Sequence, residues 1–533
     1  MKKGALVFLL LNFISVILYS QIHEGVFSIG GKVNDGAASM IQAKDGGYVM
    51  TGYTYSYGDT VNGDVYILKV DPNGMLLWAK TIGGAGEDEG NSIVQTKDGG
   101  YVVVGTANSF GLLYDIYVVK FDSMGNFRWS ETIGGKNVEQ GFGGAPTKDG
   151  GLVLTGATSS YGDTLGESSL YVVKLDSVGG IEWTTTVGGE SQQEGWSIVQ
   201  TKDGEYAITG YTYTYGAGSS DVYIVKLDSL GNLKWTRTIG GKSSEQGYSI
   251  IQAKDGGYAI TGFTSSFGDT VWADMYVIKL DSLGNLKWTR TIGGVDNECG
   301  LSIIQSKDGG YIAAGYTESF GAGGQSAYLV KLDSVGNLIW TKAVGGKREN
   351  SVSTIIQTND NGFAFTGQTN SYTLDSTNQF YFVKLDSLGN SCLGSVSGGA
   401  ISSVDSGRAG SGGVIGSGGK ITTMDSGKIG NGGRDSALCI IASIYNISVL
   451  QNEINIFPNP SSGRFALEIE GNKDKLKIEI YNILGENVYS QTLQPTQVEN
   501  TINMENKPNG IYLYRITTEV GEVISSGKLI IAK

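Results

Sequence analysis

Between Lys44 and Asn390 short runs of alternating apolar and polar residues recur in groups of four, and no stretch carries a helical period. In the clearest group the runs are Tyr248–Ala253, Tyr258–Thr264, Met275–Leu280 and Leu286–Ile292. Asp255-Gly256-Gly257 turns the first run into the second, and Asp281-Ser282-Leu283-Gly284-Asn285 turns the third into the fourth. Glycine tolerates the positive φ that such tight turns demand. A longer loop separates the second run from the third. The pattern predicts four short antiparallel strands in one small sheet.

Three landmarks fix the register of the repeat. A Lys-x-Asp element falls at Lys69, Lys120, Lys174, Lys226, Lys279, Lys331 and Lys384, at spacings of 51 to 54 residues. A Lys-Asp-Gly-Gly turn begins at Lys44, Lys97, Lys148, Lys202 (with Glu205 in the last place), Lys254 and Lys307, and degenerates to Asn359-Asp360-Asn361-Gly362 in the seventh copy. Tryptophan occurs only six times in register, at Trp78, Trp129, Trp183, Trp235, Trp288 and Trp340. A repeat of this length predicts an array of sheets, and seven sheets set radially make a β-propeller that protects its strand edges by closing the ring. The seventh copy stops at Leu388-Gly389-Asn390 without a fourth run, whereas Val26–Gly31 resembles Thr289–Gly294. The N-terminal strand is therefore predicted to complete the last blade as its outermost strand, tying the two ends together. An open solenoid would leave both the stub and this strand unexplained.

Composition supports an exported all-β protein: of 533 residues 83 are Gly and only 6 are Pro, which suits many tight turns. A formal net charge of -13 argues against nucleic acid or an anionic membrane as partner. Lys2-Lys3 followed by the apolar run Ala5–Leu18 predicts a signal peptide over residues 1–20 and no transmembrane segment in the mature chain. The predicted order is then a seven-repeat propeller over 21–391, a Gly/Ser-rich linker over 392–449 and a C-terminal domain over 450–533. Cys392 and Cys439 bracket the linker and are candidates for a disulfide, which would contribute about 4 kcal/mol on the chain-entropy model. Cys299 would remain unpaired.

Candidate ligand chemistry lies on the face that carries the variable loops between the second and third strands. An aromatic residue opens each loop, at Tyr57, Phe110, Tyr161, Tyr215, Phe267, Phe320 and Tyr372. Such a ring of aromatic surfaces suits sugars or a protein anchor, and one aromatic per repeat equally suits packing of each blade on its neighbour. On the connections between copies, Asp35, Asp88, Glu139, Glu245 and Glu298 recur at one point. They are candidates to gather Ca²⁺ or to accept hydrogen bonds from the turning backbone. No other cofactor is implied. The only His is His23, which leaves no His-based triad or multi-His metal site. No catalytic residue is assigned, since the well-placed acids recur by repeat and look architectural.

The last 80 residues carry a more specific pattern. Ile456-Phe457-Pro458-Asn459-Pro460 is followed by Gly463-Arg464-Phe465, Ile480–Gly485, Asn509-Gly510-Ile511-Tyr512 and Lys528–Lys533. Together these blocks resemble the C-terminal sorting domain of type IX secretion, type A, with Pro458, Asn459, Pro460, Gly485, Asn509, Gly510, Lys528 and Lys533 as its landmarks. The resemblance implies a small Ig-like β-sandwich, the type IX machinery as partner, and a secreted or cell-surface location. The whole reads as an all-β chain: a seven-bladed β-propeller, a Gly/Ser-rich linker and an Ig-like β-sandwich. Its expected role is a binding or structural module for a glycan or a surface protein, the alternative being a carbohydrate-active enzyme that uses carboxylates on the loop face.

Overall fold

The computed structural model describes residues 21–58, 61–111, 113–162, 167–268, 272–373 and 376–392, and in the C-terminal part 400–404, 408–410, 414–416, 420–424, 428–430, 435–443, 454–469, 476–482, 486–493, 499–518 and 523–533. Residues 1–20, the expected signal peptide, lie outside that set. The described residues are all-β, and none of their helices is long and apolar enough to cross a membrane. Two compact units divide the chain, one spanning Ile22–Ala442 and the other carrying Ser443–Lys533.

The larger unit is a propeller-like array of antiparallel sheets. Sheets 1 to 7 begin with Asp35–Gln42, Asp88–Gln95, Glu139–Pro146, Gln193–Gln200, Glu245–Gln252, Glu298–Gln305 and Asn350–Gln357. In each, the second, third and fourth strands follow by antiparallel pairing, as Tyr258–Thr264, Asp274–Leu280 and Leu286–Gly293 do in sheet 5. The first strands of successive sheets pack side by side, and that of sheet 7 packs beside that of sheet 1. Across this last contact the Ser353 hydroxyl donates to the Ala37 carbonyl at 2.8 Å.

The fourth strand of sheet 7 is N-terminal, with Gly25 opposite Lys384 and Ile29 opposite Phe380. It also supplies the counterpart of the missing seventh tryptophan. In other sheets a Trp lies over the glycine of the next sheet's last turn, as Trp235 does over Gly284, where φ is 80°. At Gly74 the ring of Phe27 fills that place.

Two expectations need correction. The N-terminal strand is not outermost, because Asp435–Ser443 lies beside it as a fifth strand. The segment expected to be a linker is instead strand-rich: Ala400–Val404 pairs with the fourth strand of sheet 5, Arg408–Gly410 with sheet 4, Val414–Gly416 with sheet 3, Lys420–Met424 with sheet 2 and Lys428–Gly430 with sheet 1. It thus runs around the array against the order in which the sheets are made. Each fourth strand offers a row of unpaired backbone groups, and a Gly/Ser chain can pair with any of them because backbone alone makes the bonds. Among the described residues, sheet 6 has no fifth strand.

The cores lie between sheets. Val49, Val65 and Ile67 of sheet 1, for example, pack with Val103, Tyr117 and Val119 of sheet 2. The seven Lys-x-Asp lysines are buried too, and each forms an ion pair with the aspartate of its own sheet's glycine turn, from Lys69–Asp45 to Lys384–Asp360. The two landmarks of the repeat are thus one interaction. Cys392 is disulfide-bonded, Cys299 is free and buried, and the chain has three cysteines in all. Cys439 sits on Asp435–Ser443, whose side chains lie outside the described set.

In the smaller unit, a three-stranded sheet (Ile454–Phe457, Arg464–Ile469, Glu499–Asn503) and a four-stranded sheet (Asn487–Leu493, Leu476–Tyr481, Gly510–Thr518, Val523–Ile531) share one core that includes Phe465, Leu467, Ile478, Ile502, Ile516 and Leu529.

Candidate functional site

The loop aromatics do not form a separate surface. Tyr57, Phe110, Tyr161, Tyr215, Phe267, Phe320 and Tyr372 are partly buried, each packed on an inter-sheet core. Each ring lies 5.3 to 6.2 Å from the buried tyrosine of its own sheet's third strand. The hydroxyls of Tyr57, Tyr161 and Tyr215 donate to the carbonyls of Gly30, Gly134 and Gly188, which close the preceding sheet.

The recurring acids are fully buried as well, and they open the first strands rather than sit in the connections. Each carboxylate binds its own entry loop. Glu245 accepts from the Gly241 amide at 2.6 Å and from the Thr264 hydroxyl at 2.8 Å, and Glu139 and Glu298 repeat the pattern. Asp35 and Asp88 bind Gly31 and Gly84 in the same way, each at 2.7 Å. Among the described residues no three carboxylate, Cys or His groups come together to hold a cation.

What converges instead is a position that the repeat frame conceals. Every first strand carries a β-bulge, at which pairing skips Ala38, Asn91, Phe142, Trp196, Tyr248, Leu301 or Ser353. A bulged residue leaves the ladder and its side chain is re-aimed. All seven line a single cavity of about 600 Å³ where the seven first strands meet, floored by Ser39, Ser92, Ser197, Ser249, Ser302 and Thr354. The bulge also breaks the two-residue alternation, so the sequence pattern starts these strands three residues late, at Tyr248 rather than Glu245.

The cavity wall is uneven. Phe142, Trp196 and Tyr248 come from three consecutive sheets, with Phe142 and Trp196 stacked and Tyr248 set edge-on to Trp196 at 5.1 Å. Beside them, sheet 2 contributes Glu87 and Glu89. Glu87 accepts a hydrogen bond on each oxygen, from Tyr55 at 2.5 Å and Tyr114 at 3.0 Å. Burial, reinforced by the neighbouring Glu87, pushes the Glu89 carboxyl above its ordinary range. Two residues before Trp196, burial likewise raises Glu194, against hydrogen bonds from Tyr211 and Gln192. The signal for this site in the sequence is one register position that differs in all seven copies, and the bulge hides it by breaking the alternation that marks a strand face.

In the smaller unit the motif blocks meet each other. Asn459 spans to the last strand, donating to the Lys528 carbonyl at 2.6 Å and accepting from the Ile530 amide at 2.8 Å. The Asn509 side chain accepts from the Lys533 amide at 3.0 Å, and the Lys533 ammonium donates to the Lys507 carbonyl at 2.8 Å. Pro458 and Pro460 flank Asn459, and Gly510 opens the third strand of the four-stranded sheet. Gly485 lies outside the described residues.

Residues 455–532 match the family described as secretion system C-terminal sorting domain. The chain is 26% identical over 187 residues to regulatory protein FlaEY of Caulobacter vibrioides, covering 30% of this chain and 20% of that protein. It therefore spans one fifth of that relative's length. Among solved structures, the extracellular domain assigned to a hybrid two-component system of B. thetaiotaomicron is similar at 11% identity and a TM-score of 0.44, over 93% of this chain and 56% of that one. A fungal alcohol oxidase of the AA5 family, solved with copper, is similar at 11% identity and a TM-score of 0.42, over 96% and 100%. At these values neither likeness transfers a function.

Proposed function

Because residues 455–532 are a type IX secretion C-terminal sorting domain, and the chain is therefore exported to the cell surface or beyond it, we propose that it acts there as a non-catalytic binding module. In this reading the seven sheets are the blades of one closed propeller, the sorting domain is an Ig-like sandwich, and a glycan or protein ligand enters the central cavity. One observation carries the reading. The residues that differ most among the repeats at a fixed place all line the cavity, and three of them form a continuous aromatic wall. Such walls stack on apolar faces of sugars and side chains.

The test is a glycan and peptide array probed with the mature protein and with Trp196→Ala. Selective binding that the variant loses supports the reading, and binding unchanged in the variant sinks it.

A second reading, a carbohydrate-active enzyme, is favoured by the raised carboxyls of Glu89 and Glu194, since a general acid needs such a group. Release of cleaved product from a bound saccharide, lost in Glu89→Gln, would establish it.

A further inference from the structure

We infer that the ligand of the central cavity presents a protonated amine. The inference rests on the binding reading above and adds the charge of the ligand.

Charge balance is the first argument. Elsewhere in this unit the seven buried lysines each meet an aspartate, and the buried acids Asp35, Asp88, Glu139, Glu245 and Glu298 are held by hydrogen bonds from their own entry loops. Among the described residues neither kind of partner reaches the Glu89 carboxylate in the cavity. Glu87 and Glu89 line it, no Lys, Arg or His does, and among the described residues no ion pair reaches either acid. The phenols of Tyr55 and Tyr114 hold Glu87 in place, but neutral donors orient a carboxylate without cancelling its charge. An anion is excluded from such a mouth, and a neutral ligand leaves two neighbouring charges unrelieved.

The wall supplies the second argument, independent of the acids. Phe142, Trp196 and Tyr248 present π surfaces and ring edges over three adjacent sheets. An ammonium group is attracted to aromatic faces as well as to carboxylates, and the body that carries it can stack beside it. A volume of about 600 Å³ is within the ordinary size of a small-ligand pocket. Amine chemistry reaches a surface protein from two sources, amino-sugar polymers and lysine side chains.

Calorimetric titration of the mature protein with a glucosamine tetramer, its fully N-acetylated counterpart and tetralysine separates these cases. At least one amine probe is expected to bind, and whichever binds more tightly identifies the source. Acetylating the saccharide, or changing Glu89→Gln in a protein with unchanged unfolding midpoint, is expected to weaken the bound amine about tenfold or more. Trp196→Ala is expected to abolish binding, because adsorption to the acidic surface at large would survive that change. The inference is overturned if neither amine binds, if the acetylated tetramer binds as tightly as the free amine, or if Glu89→Gln has no effect. Tight acetylated saccharide lost in Trp196→Ala would leave the binding reading standing without the charge, whereas amine binding indifferent to Trp196→Ala would remove both.

Discussion

Phe142 and Trp196 lie parallel across two sheets, with ring centroids 4.5 Å apart and planes 6° from each other. Both sit on bulges at the cavity wall, so their contact adds little to the inter-sheet cores. Trp196→Ala is expected to cost about 1 kcal/mol of stability, the scale of an aromatic pair. Ligand affinity should fall at least about tenfold. Tyr161→Ala should do the opposite, costing about 3 kcal/mol through lost core packing while leaving binding intact. Urea unfolding alongside a binding titration of both variants checks the pair.

Phe27 over Gly74 is the one place where the N-terminal strand reaches sheet 1 as the tryptophans reach their neighbours. Phe27→Ala is expected to cost about 3–5 kcal/mol. Hydrogen exchange should then show Gly25–Ile29 opening ahead of the other fourth strands, and uniform exchange across all seven sheets would count against this.

Lys279 is buried, while its partner Asp255 is 60% exposed. The two halves of the pair should respond differently. Asp255→Ala leaves a buried ammonium with the Leu280 carbonyl and is expected to cost about 1–2 kcal/mol, less than a fully buried pair because water reaches the site. Lys279→Met removes the charge and keeps the stem, so it should change stability by less than about 1 kcal/mol. Denaturant midpoints of both variants decide whether the lysine earns its place by charge or by packing.

Stability should peak in mild acid. Burial alone would raise the carboxyls of Asp98, Asp149 and Asp308, but hydrogen bonds from Thr96, Thr147 and Ser306 and from the paired lysines hold them at about 2. An unfolded aspartate titrates near 3.9, so this stabilisation is complete above about pH 4 and is lost as pH falls toward 2. Asp35, Asp88, Asp221, Glu89 and Glu194 are shifted upward, chiefly by burial, and their charged forms oppose folding at neutral pH. Their protonation should raise the melting temperature as pH falls from neutral toward the ordinary carboxylate range, and loss of the lysine-paired aspartates should then lower it below about pH 4. A melting temperature that falls steadily from pH 7 would refute the assignment.

Much of this fold could be read from residues whose chemistry is local. A Gly-containing turn, a lysine two residues before an aspartate and an Ile-Gly-Gly ending each dictate a short piece of backbone, and Phe27-Ser28-Ile29-Gly30 betrayed a displaced strand by sharing that ending. The cavity was harder to see, because Phe142, Trp196 and Tyr248 occupy a register position where alternation fails. Outer strands such as Val414–Gly416 and Lys428–Gly430 were illegible for a different reason. Their pairing is made by backbone groups, and three residues, Val-Ile-Gly or Lys-Ile-Gly, are too few to carry a period.

Gly25 faces a partner 359 positions later in the chain, Lys384. In chain order, the strand that comes first must wait for a partner 359 residues later, and its flanking strand Asp435–Ser443 comes later still. Until then Val26 lacks its whole core, and Phe27 and Ile29, all three fully buried in the finished protein, have only sheet 1 to pack on. Contacts this distant in sequence form slowly, and an unpaired apolar strand invites the wrong edge in the interval. The same joint that fastens the finished ring is therefore the step at which its assembly is most exposed to error.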